Sequence, residues 1–201
     1  MPPLSIIDPE CAFLSGHNRN VTSQYGEDGL IAELFRHIGI VNRWCFEVGA
    51  GDGVRYSNTQ QWIRQGWNAV LIEADEVTFA ELLKHETDKV QTVHERITSR
   101  SLDRILAEAG APLDMDLGVI DIDMEDFWAW VGLQTYRPRV MMVEAAVHGV
   151  PAVVPTSTDL AGRRQSGSDM IQMVGEAKGY RALARTHCNV IFCREDVIVQ
   201  P

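Results

Sequence analysis

The sequence predicts an α/β protein in which a mainly parallel sheet is covered by helices on both faces. Apolar, strand-like runs alternate with helical segments five times between residues 44 and 179. Two further strand-like segments, 180–186 and 189–195, are close enough to form an antiparallel hairpin. The chain has 201 residues, 45% of them hydrophobic, which suits one buried core and is short for two. We therefore expect a single three-layer α/β domain over residues 1–201.

A helix is expected before the first strand, behind an N-terminal arm of about residues 1–22. Glu27 and Asp28 suit the first turn of this helix, and Gly39 suits its end. Its apolar residues recur at helical spacing and form one face: Leu30, Ile31, Leu34, Phe35 and Ile38.

Strands and helices then alternate. The second helix begins with a capping box, in which Ser57 caps the helix and Gln60 reaches back. Residues 147–167 are rich in Pro, Ser, Thr and Gly and are expected to form a long substrate loop. Strands are predicted at 44–50, 68–75, 89–97, 117–123 and 139–146, and helices at 57–66, 76–86, 101–110, 126–136 and 168–179.

Composition and charge exclude several classes of function. The net charge is −10 and no run of lysine or arginine occurs, so neither nucleic acid nor an anionic membrane is an expected partner. No apolar run reaches the length of a membrane span, and the first ten residues lack the regions of a signal peptide. We expect a soluble, cytoplasmic protein, and the residues leave its oligomeric state open.

The segment Glu47–Gly53 (Glu-Val-Gly-Ala-Gly-Asp-Gly) predicts a close approach of backbone to ligand at the end of the first parallel strand. Ligands of such sheets bind beyond the carboxyl ends of the strands. A dinucleotide fold would place its third glycine at position 54, which is Val54, and a P-loop would need a lysine. Glu47 and Asp52 suit a cation better than a pyrophosphate.

The next strand ends at Glu73, 22 positions after Gly51. An acid at this place can accept hydrogen bonds from both hydroxyls of a ribose. A cationic adenosine derivative that ends in an ammonium and a carboxylate fits both features. S-adenosylmethionine (SAM) is such a molecule.

The glycine segment, followed by Leu-Ile-Glu-Ala-Asp at 71–75, resembles the first two cofactor motifs of class I SAM-dependent methyltransferases. The chain further resembles the FkbM-like branch of these enzymes over roughly residues 23–196. This resemblance implies a Rossmann-like sheet of strand order 3-2-1-4-5-7-6 in which the last strand is antiparallel. The segments that carry it are 23–31, 47–59, 66–75, 118–130, 137–145 and 178–196.

The resemblance also implies cofactor contacts by position. The first glycine motif would surround the methionine end, the acid of the second motif would hold the ribose, and the turn 95–97 would pass the adenine. The presence of Asn58 has two equally good explanations, which are a contact with the cofactor and hydrogen bonding at the start of the second helix. The candidate cofactor residues are Gln24, Glu47, Gly49, Gly51, Asp52, Asn58, Glu73 and Asp121.

The predicted fourth strand ends in two aspartates, Asp121 and Asp123, which are two positions apart and would therefore point to the same face of the sheet. Carboxylates in an apolar strand are unfavourable unless they are paired, hydrogen-bonded or metal-bound. With Glu144 at the neighbouring strand end, they are candidate ligands for Mg²⁺ or another divalent ion. A hydroxyl acceptor needs a general base or a metal ion, which makes Asp123 a candidate catalytic residue.

The chain departs from the FkbM-like pattern after the fifth strand, where Glu-Tyr-Asn is replaced by Glu144-Ala145-Ala146. His148 is a candidate base or ligand in place of the missing side chains. The expected function is SAM-dependent O-methylation of a small-molecule or glycan hydroxyl. A catalytically silent SAM-binding module is one alternative. A nicotinamide-dependent oxidoreductase is another, disfavoured by Val54 and by the lack of a Tyr-x-x-x-Lys pair.

Overall fold

The computed structural model describes residues 4–123, 125–146 and 166–198, and it contains the predicted alternation of strands and helices. The strands are β1 (Ser5–Ile6), β2 (Trp44–Val48), β3 (Asn68–Glu73), β4 (Val90–His94), β5 (Leu117–Ile120), β6 (Val140–Glu144), β7 (Tyr180–Arg185) and β8 (Asn189–Arg194). The α-helices are α1 (Glu27–Ile38), α2 (Gln60–Ile63), α3 (Glu76–Leu82), α4 (Leu102–Glu108), α5 (Asp126–Gly132) and α6 (Ser168–Ala177). Short 3₁₀ helices cover Pro9–Leu14 and Leu83–His85.

The eight strands form one sheet in the order β1-β7-β8-β6-β5-β2-β3-β4. Strands β2 to β6 pair in parallel, whereas β8 is antiparallel to both β6 and β7. Counted from β2, the seven long strands follow the predicted order 3-2-1-4-5-7-6. The order nevertheless differs from the prediction at one edge, where β1 pairs antiparallel with β7.

The N-terminal arm owes its extra strand to contacts that are distant in sequence. Ser5 and Ile6 pair with Arg185 and Ala184. The Asp8 carboxylate accepts a hydrogen bond from the Arg181 guanidinium at 3.0 Å. A two-residue strand has no periodicity of its own, so the sequence offered no signal for it.

The sheet is buried on both faces, as expected for parallel strands between helices. On one face, Phe46 and Val70 lie opposite each other and pack with residues of α4, α5 and α6. On the other face, Cys45 and Ala69 pack with residues of α1 and α2. The two cores hold the strand ends in fixed register, which positions the loops that follow them.

A buried ion pair closes the amino-terminal end of the parallel strands. Asp116, directly before β5, is completely buried and lies 2.8 Å from the guanidinium of Arg139, directly before β6. The same carboxylate accepts backbone N–H groups from residues 41–43. Arg139 also donates to the last carbonyl groups of α1 and its cap, Ile38 and Gly39. Every charge here is therefore paired and hydrogen-bonded.

No helix within the three described ranges is long and apolar enough to cross a membrane.

Candidate active site

A cleft of about 380 Å³ opens at the carboxyl ends of the parallel strands. Its wall is formed by residues 48–49 at the end of β2, 72–76 at the end of β3 and beyond it, 95–97 after β4, and 121–123 with Glu125 after β5. Among the described residues that line it, Arg96 is the one cation. The lining carboxylates are Glu73, Asp75, Glu76, Glu95, Asp121, Asp123 and Glu125. Such a cleft favours a neutral or cationic ligand over a phosphorylated one.

The glycine turn between β2 and α2 is held tightly against both neighbouring strands. Gly49 has a φ of +78°, and a Cβ at this position would lie 1.7 Å from the Asp121 carbonyl oxygen. The N–H groups of Gly49 and Ala50 both donate to the Ile72 carbonyl. Gly51 also has a positive φ, +57°, but a Cβ there would meet no atom within 4 Å. The turn thus combines close packing at Gly49 with open space above Gly51.

Glu47 supports the glycine turn from inside the protein rather than lining the cleft. The residue is 2% exposed, and its carboxylate accepts hydrogen bonds from Ser57 Oγ, Thr59 Oγ1 and the Asn58 N–H. Burial raises the pKa of Glu47 above its ordinary value, while these three hydrogen bonds act in the opposite direction. Helix α2 begins at Gln60, and Ser57 Oγ accepts the Gln60 N–H at 3.0 Å, as expected of the predicted cap.

Glu73 lies at the end of β3, half-buried, and its carboxylate is already oriented by the backbone. Oε2 accepts the Gly51 N–H at 2.9 Å, and Oε1 accepts the Ala74 and Asp75 N–H groups at 2.8 Å. A carboxylate offers about four acceptor positions, so about one remains for a ligand. This arrangement links the two motifs of the sequence: the acid of the second motif fixes the glycine turn of the first.

Three of the predicted cofactor residues, Asp52, Asn58 and Gln24, lie outside the lining of this cleft. Asp52 is partly buried, which opposes ionisation, but hydrogen bonds from the Arg55 and Val54 N–H groups hold its pKa below the ordinary value. Asn58 is buried, and within the described residues its Oδ1 has no hydrogen-bond partner. Gln24 is exposed in the loop before α1.

Asp121 and Asp123 do not share the strand face that their spacing predicted. Strand β5 ends at Ile120, and Asp123 has a left-handed φ of +53°. The turn is held by Asp126, whose Oδ1 accepts the Ile122 N–H at 2.8 Å. Burial, followed by repulsion from neighbouring carboxylates of which Glu144 is the strongest, raises the pKa of Asp121 well above its ordinary value.

In the described part of the chain, no three His, Cys, Asp or Glu side chains are grouped to hold a metal ion. The structure therefore gives no support to the ligand set of Asp121, Asp123 and Glu144, which stays a prediction. The turn at Asp123 explains this result, because it directs the Asp123 backbone N–H toward Glu144 Oε2 at 3.1 Å.

His148 lies in the predicted substrate loop, in the stretch 147–165 that is outside the described residues. The described residues on either side of this stretch are joined by a hydrogen bond from the Ala146 N–H to the Ser166 carbonyl at 2.8 Å. Ala145 and Ala146 are both buried, and neither places a polar side chain at the site.

Sequence reasoning missed several residues that build the site. Glu27 is completely buried, although an acid at a helix start is usually solvated. Its Oε1 accepts hydrogen bonds from Thr186 Oγ1 and Asn189 Nδ2, which joins α1 to the β7–β8 turn. The partners of Glu47 at positions 57 and 59 carried only a weak local signal, two hydroxyl residues beside a helix start. Arg96 carried none.

Comparisons with known proteins give structural matches only. No protein-family model matches the chain, and no curated protein matches it significantly. The fold is similar to a putative O-methyltransferase from Klebsiella pneumoniae, with a TM-score of 0.55 and 16% identity over 93% of this chain and 90% of that one. It is also similar to the glycopeptide N-methyltransferase MtfA in complex with S-adenosyl-L-homocysteine, with a TM-score of 0.50 and 13% identity over 96% and 98% of the two chains.

The chain therefore has the Rossmann-like fold of class I SAM-dependent methyltransferases, with a mostly parallel sheet and antiparallel C-terminal strands. Below 25% identity, this similarity establishes the fold and leaves the activity to be argued from the site.

Proposed function

We propose that the protein is a SAM-dependent methyltransferase that methylates a hydroxyl of a small molecule or glycan. The observation that carries this proposal is the pairing of the glycine turn with Glu73, whose Oε2 accepts the Gly51 N–H at 2.9 Å beside an acidic cleft. The resemblance to FkbM-like methyltransferases favours the same function. We further propose that residues 1–201 form one domain and that residues 147–167 form its substrate loop. We also propose that the protein is located in the cytoplasm.

The residues present fit SAM better than other adenosine cofactors. A pyrophosphate would meet seven carboxylates and one arginine in the cleft, whereas a sulfonium and an ammonium are favoured by such surroundings. The open space above Gly51 lets a ligand reach the backbone of the turn. The Oδ1 of Asn58, which has no hydrogen-bond partner among the described residues, is an acceptor of the kind that an ammonium requires.

Within this proposal, the cleft holds the adenosine half and the glycine turn holds the amino-acid half. Glu73 would bind the ribose, and Gly49, Gly51 and Asp121 would lie beside the methionine portion, with Glu47 and Asp52 supporting the turn. Gln24 and Asn58 would approach the amino-acid end. When bound, SAM supplies an electrophilic methyl group.

The chain itself must align the acceptor and remove its proton. Alignment supplies much of the acceleration of a direct displacement. Asp123, exposed at the end of the cleft, and His148 are the proposed proton acceptors for the hydroxyl, which is too weakly acidic to react well unassisted. A divalent ion is not part of this proposal, given the arrangement of the three carboxylates.

A catalytically silent SAM-binding module is the second candidate function. It is favoured by Ala145 and Ala146, which leave the strand end after β6 without the polar side chains of FkbM-like enzymes. A nicotinamide-dependent oxidoreductase is a weaker candidate, because the acidic cleft suits a dinucleotide pyrophosphate poorly.

Transfer of a labelled methyl group from SAM to a panel of monosaccharides and small alcohols separates these candidates. The proposal predicts acceptor-dependent release of S-adenosylhomocysteine (SAH), reduced by the ~10²–10⁴-fold typical of a lost general base in either Asp123→Asn or His148→Ala. Binding of SAH without any acceptor-dependent turnover would instead favour the silent module.

A further inference from the structure

The outer rim of the cleft is bridged by an ion pair between two loops. Arg96 follows β4 and Glu125 precedes α5, so the two residues approach the cleft from separate turns. An Arg96 Nη atom lies 3.3 Å from Glu125 Oε2. The side chains are 74% and 43% exposed, respectively, which places the guanidinium at the solvent side of the cleft.

Behind this rim the cleft has an apolar interior. Ile97 is 4% exposed and belongs to the core, and Ile122 is half-buried against the same core. Both line the cleft beside Ile72 and Val48. A flat aromatic ring would therefore contact aliphatic groups on its inner side and the Arg96 guanidinium on its outer side.

We propose that Arg96 stacks on the adenine ring of the bound cofactor, and that Glu125 holds the guanidinium in position across the cleft. This inference rests on the proposed function, since it presumes an adenosine ligand whose ribose is held by Glu73. It assigns a specific role to Arg96, which lies in the turn that the resemblance places near the adenine, and to Glu125, which no sequence motif singled out.

The chemistry of arginine explains why this cation occurs in an otherwise acidic cleft. The guanidinium is planar, weakly hydrated and able to stack on an aromatic face while it donates to a carboxylate in its own plane. A lysine has no such face. An exposed ion pair contributes little free energy, so the contribution of Glu125 to ligand binding should be smaller than that of Arg96.

Isothermal titration calorimetry with SAH and with adenosine tests the proposal. Arg96→Ala should weaken binding of both ligands by about 3- to 30-fold, the range of a cation–π contact at a partly exposed site. Arg96→Lys should remain close to the alanine variant, because it restores the charge without the planar face. Glu125→Gln should weaken both ligands less than Arg96→Ala does, because the arginine remains.

Arg100→Ala is the matched control, since Arg100 is exposed in the same loop and does not line the cleft. It should leave both affinities within twofold of the wild type. Unchanged SAH and adenosine affinities in Arg96→Ala would overturn the inference, as would full recovery in Arg96→Lys. Failure of the wild-type protein to bind SAH would instead overturn the proposed function.

Discussion

Replacement of Glu73 by alanine tests whether the acid at the end of β3 holds a ribose. In the structure its carboxylate accepts three backbone N–H groups and retains about one acceptor position. One hydrogen bond to a charged group contributes about 1.5–3 kcal/mol. We therefore expect Glu73→Ala to weaken SAH binding by about 10- to 150-fold.

The same substitution should also lower stability, because the Gly51 N–H loses its partner. Ala74 and Asp75 are exposed, so water can replace the carboxylate at their N–H groups. The expected loss is about 1 kcal/mol, which corresponds to a fall in melting temperature of roughly 2–4 °C for a chain of this size.

Calorimetry with adenosine and 2′,3′-dideoxyadenosine isolates the ribose contact. The wild type should prefer adenosine, and Glu73→Ala should lose most of that preference. Glu76→Ala removes an equal charge from the same cleft and should keep it. Equal loss of SAH affinity in the two variants, or an unchanged preference in Glu73→Ala, would refute the reasoning.

Four further substitutions test other parts of the structure. Arg139→Met leaves the completely buried Asp116 without its cation and should lower the unfolding free energy, measured in urea, by about 3–5 kcal/mol. The folded variant should bind SAH as the wild type does. A loss of less than about 1 kcal/mol would contradict a role of this pair in stability. In Gly49→Ala the added Cβ would clash with the Asp121 carbonyl oxygen, so the variant should lose more than about 4 kcal/mol of unfolding free energy. Gly51→Ala should lose only the ~1–2 kcal/mol of a left-handed residue. Similar losses at both positions would contradict the geometry of the turn. The raised pKa of Asp121 means that the folded state binds this proton more tightly than the unfolded state, so the contribution of Asp121 to stability falls as the pH rises above about 4. Asp121→Asn should consequently be more stable than the wild type at pH 7 and equal to it near pH 3.5, as measured by urea unfolding; an equal difference at both values would argue against the shift.

The alternation of strands and helices was predictable because each element carried its own pattern. Buried strands such as β5 and β6 are continuous apolar runs between turn residues, and α1 shows its face through residues such as Leu30 and Leu34. The order of the long strands followed from the resemblance to a known fold. Strand β1 escaped prediction because its pairing with β7 depends on contacts across the whole chain.

The geometry of the candidate site was predictable where it depends on residues close together in the sequence. The positive φ values of the glycine turn and the position of Glu73 beside it follow from neighbouring motifs. The turn after β5 was not predictable in the same way. Asp123 adopts a left-handed conformation because Asp126 and Glu144 accept hydrogen bonds from the backbone of residues 122–123. The alternation of side chains along a strand therefore stops before these residues, whereas the prediction continued it to Asp123.

The central claim is that the cleft and glycine turn bind a SAM-type cofactor, and the most direct test is thermal unfolding with SAH and with NADH. At a SAH concentration 100-fold above its dissociation constant, the account predicts a stabilisation of about 2.7 kcal/mol. For a chain of this size this stabilisation raises the melting temperature by roughly 5–10 °C. NADH at the same concentration should leave the melting temperature unchanged. A clear shift with NADH and none with SAH would contradict the account.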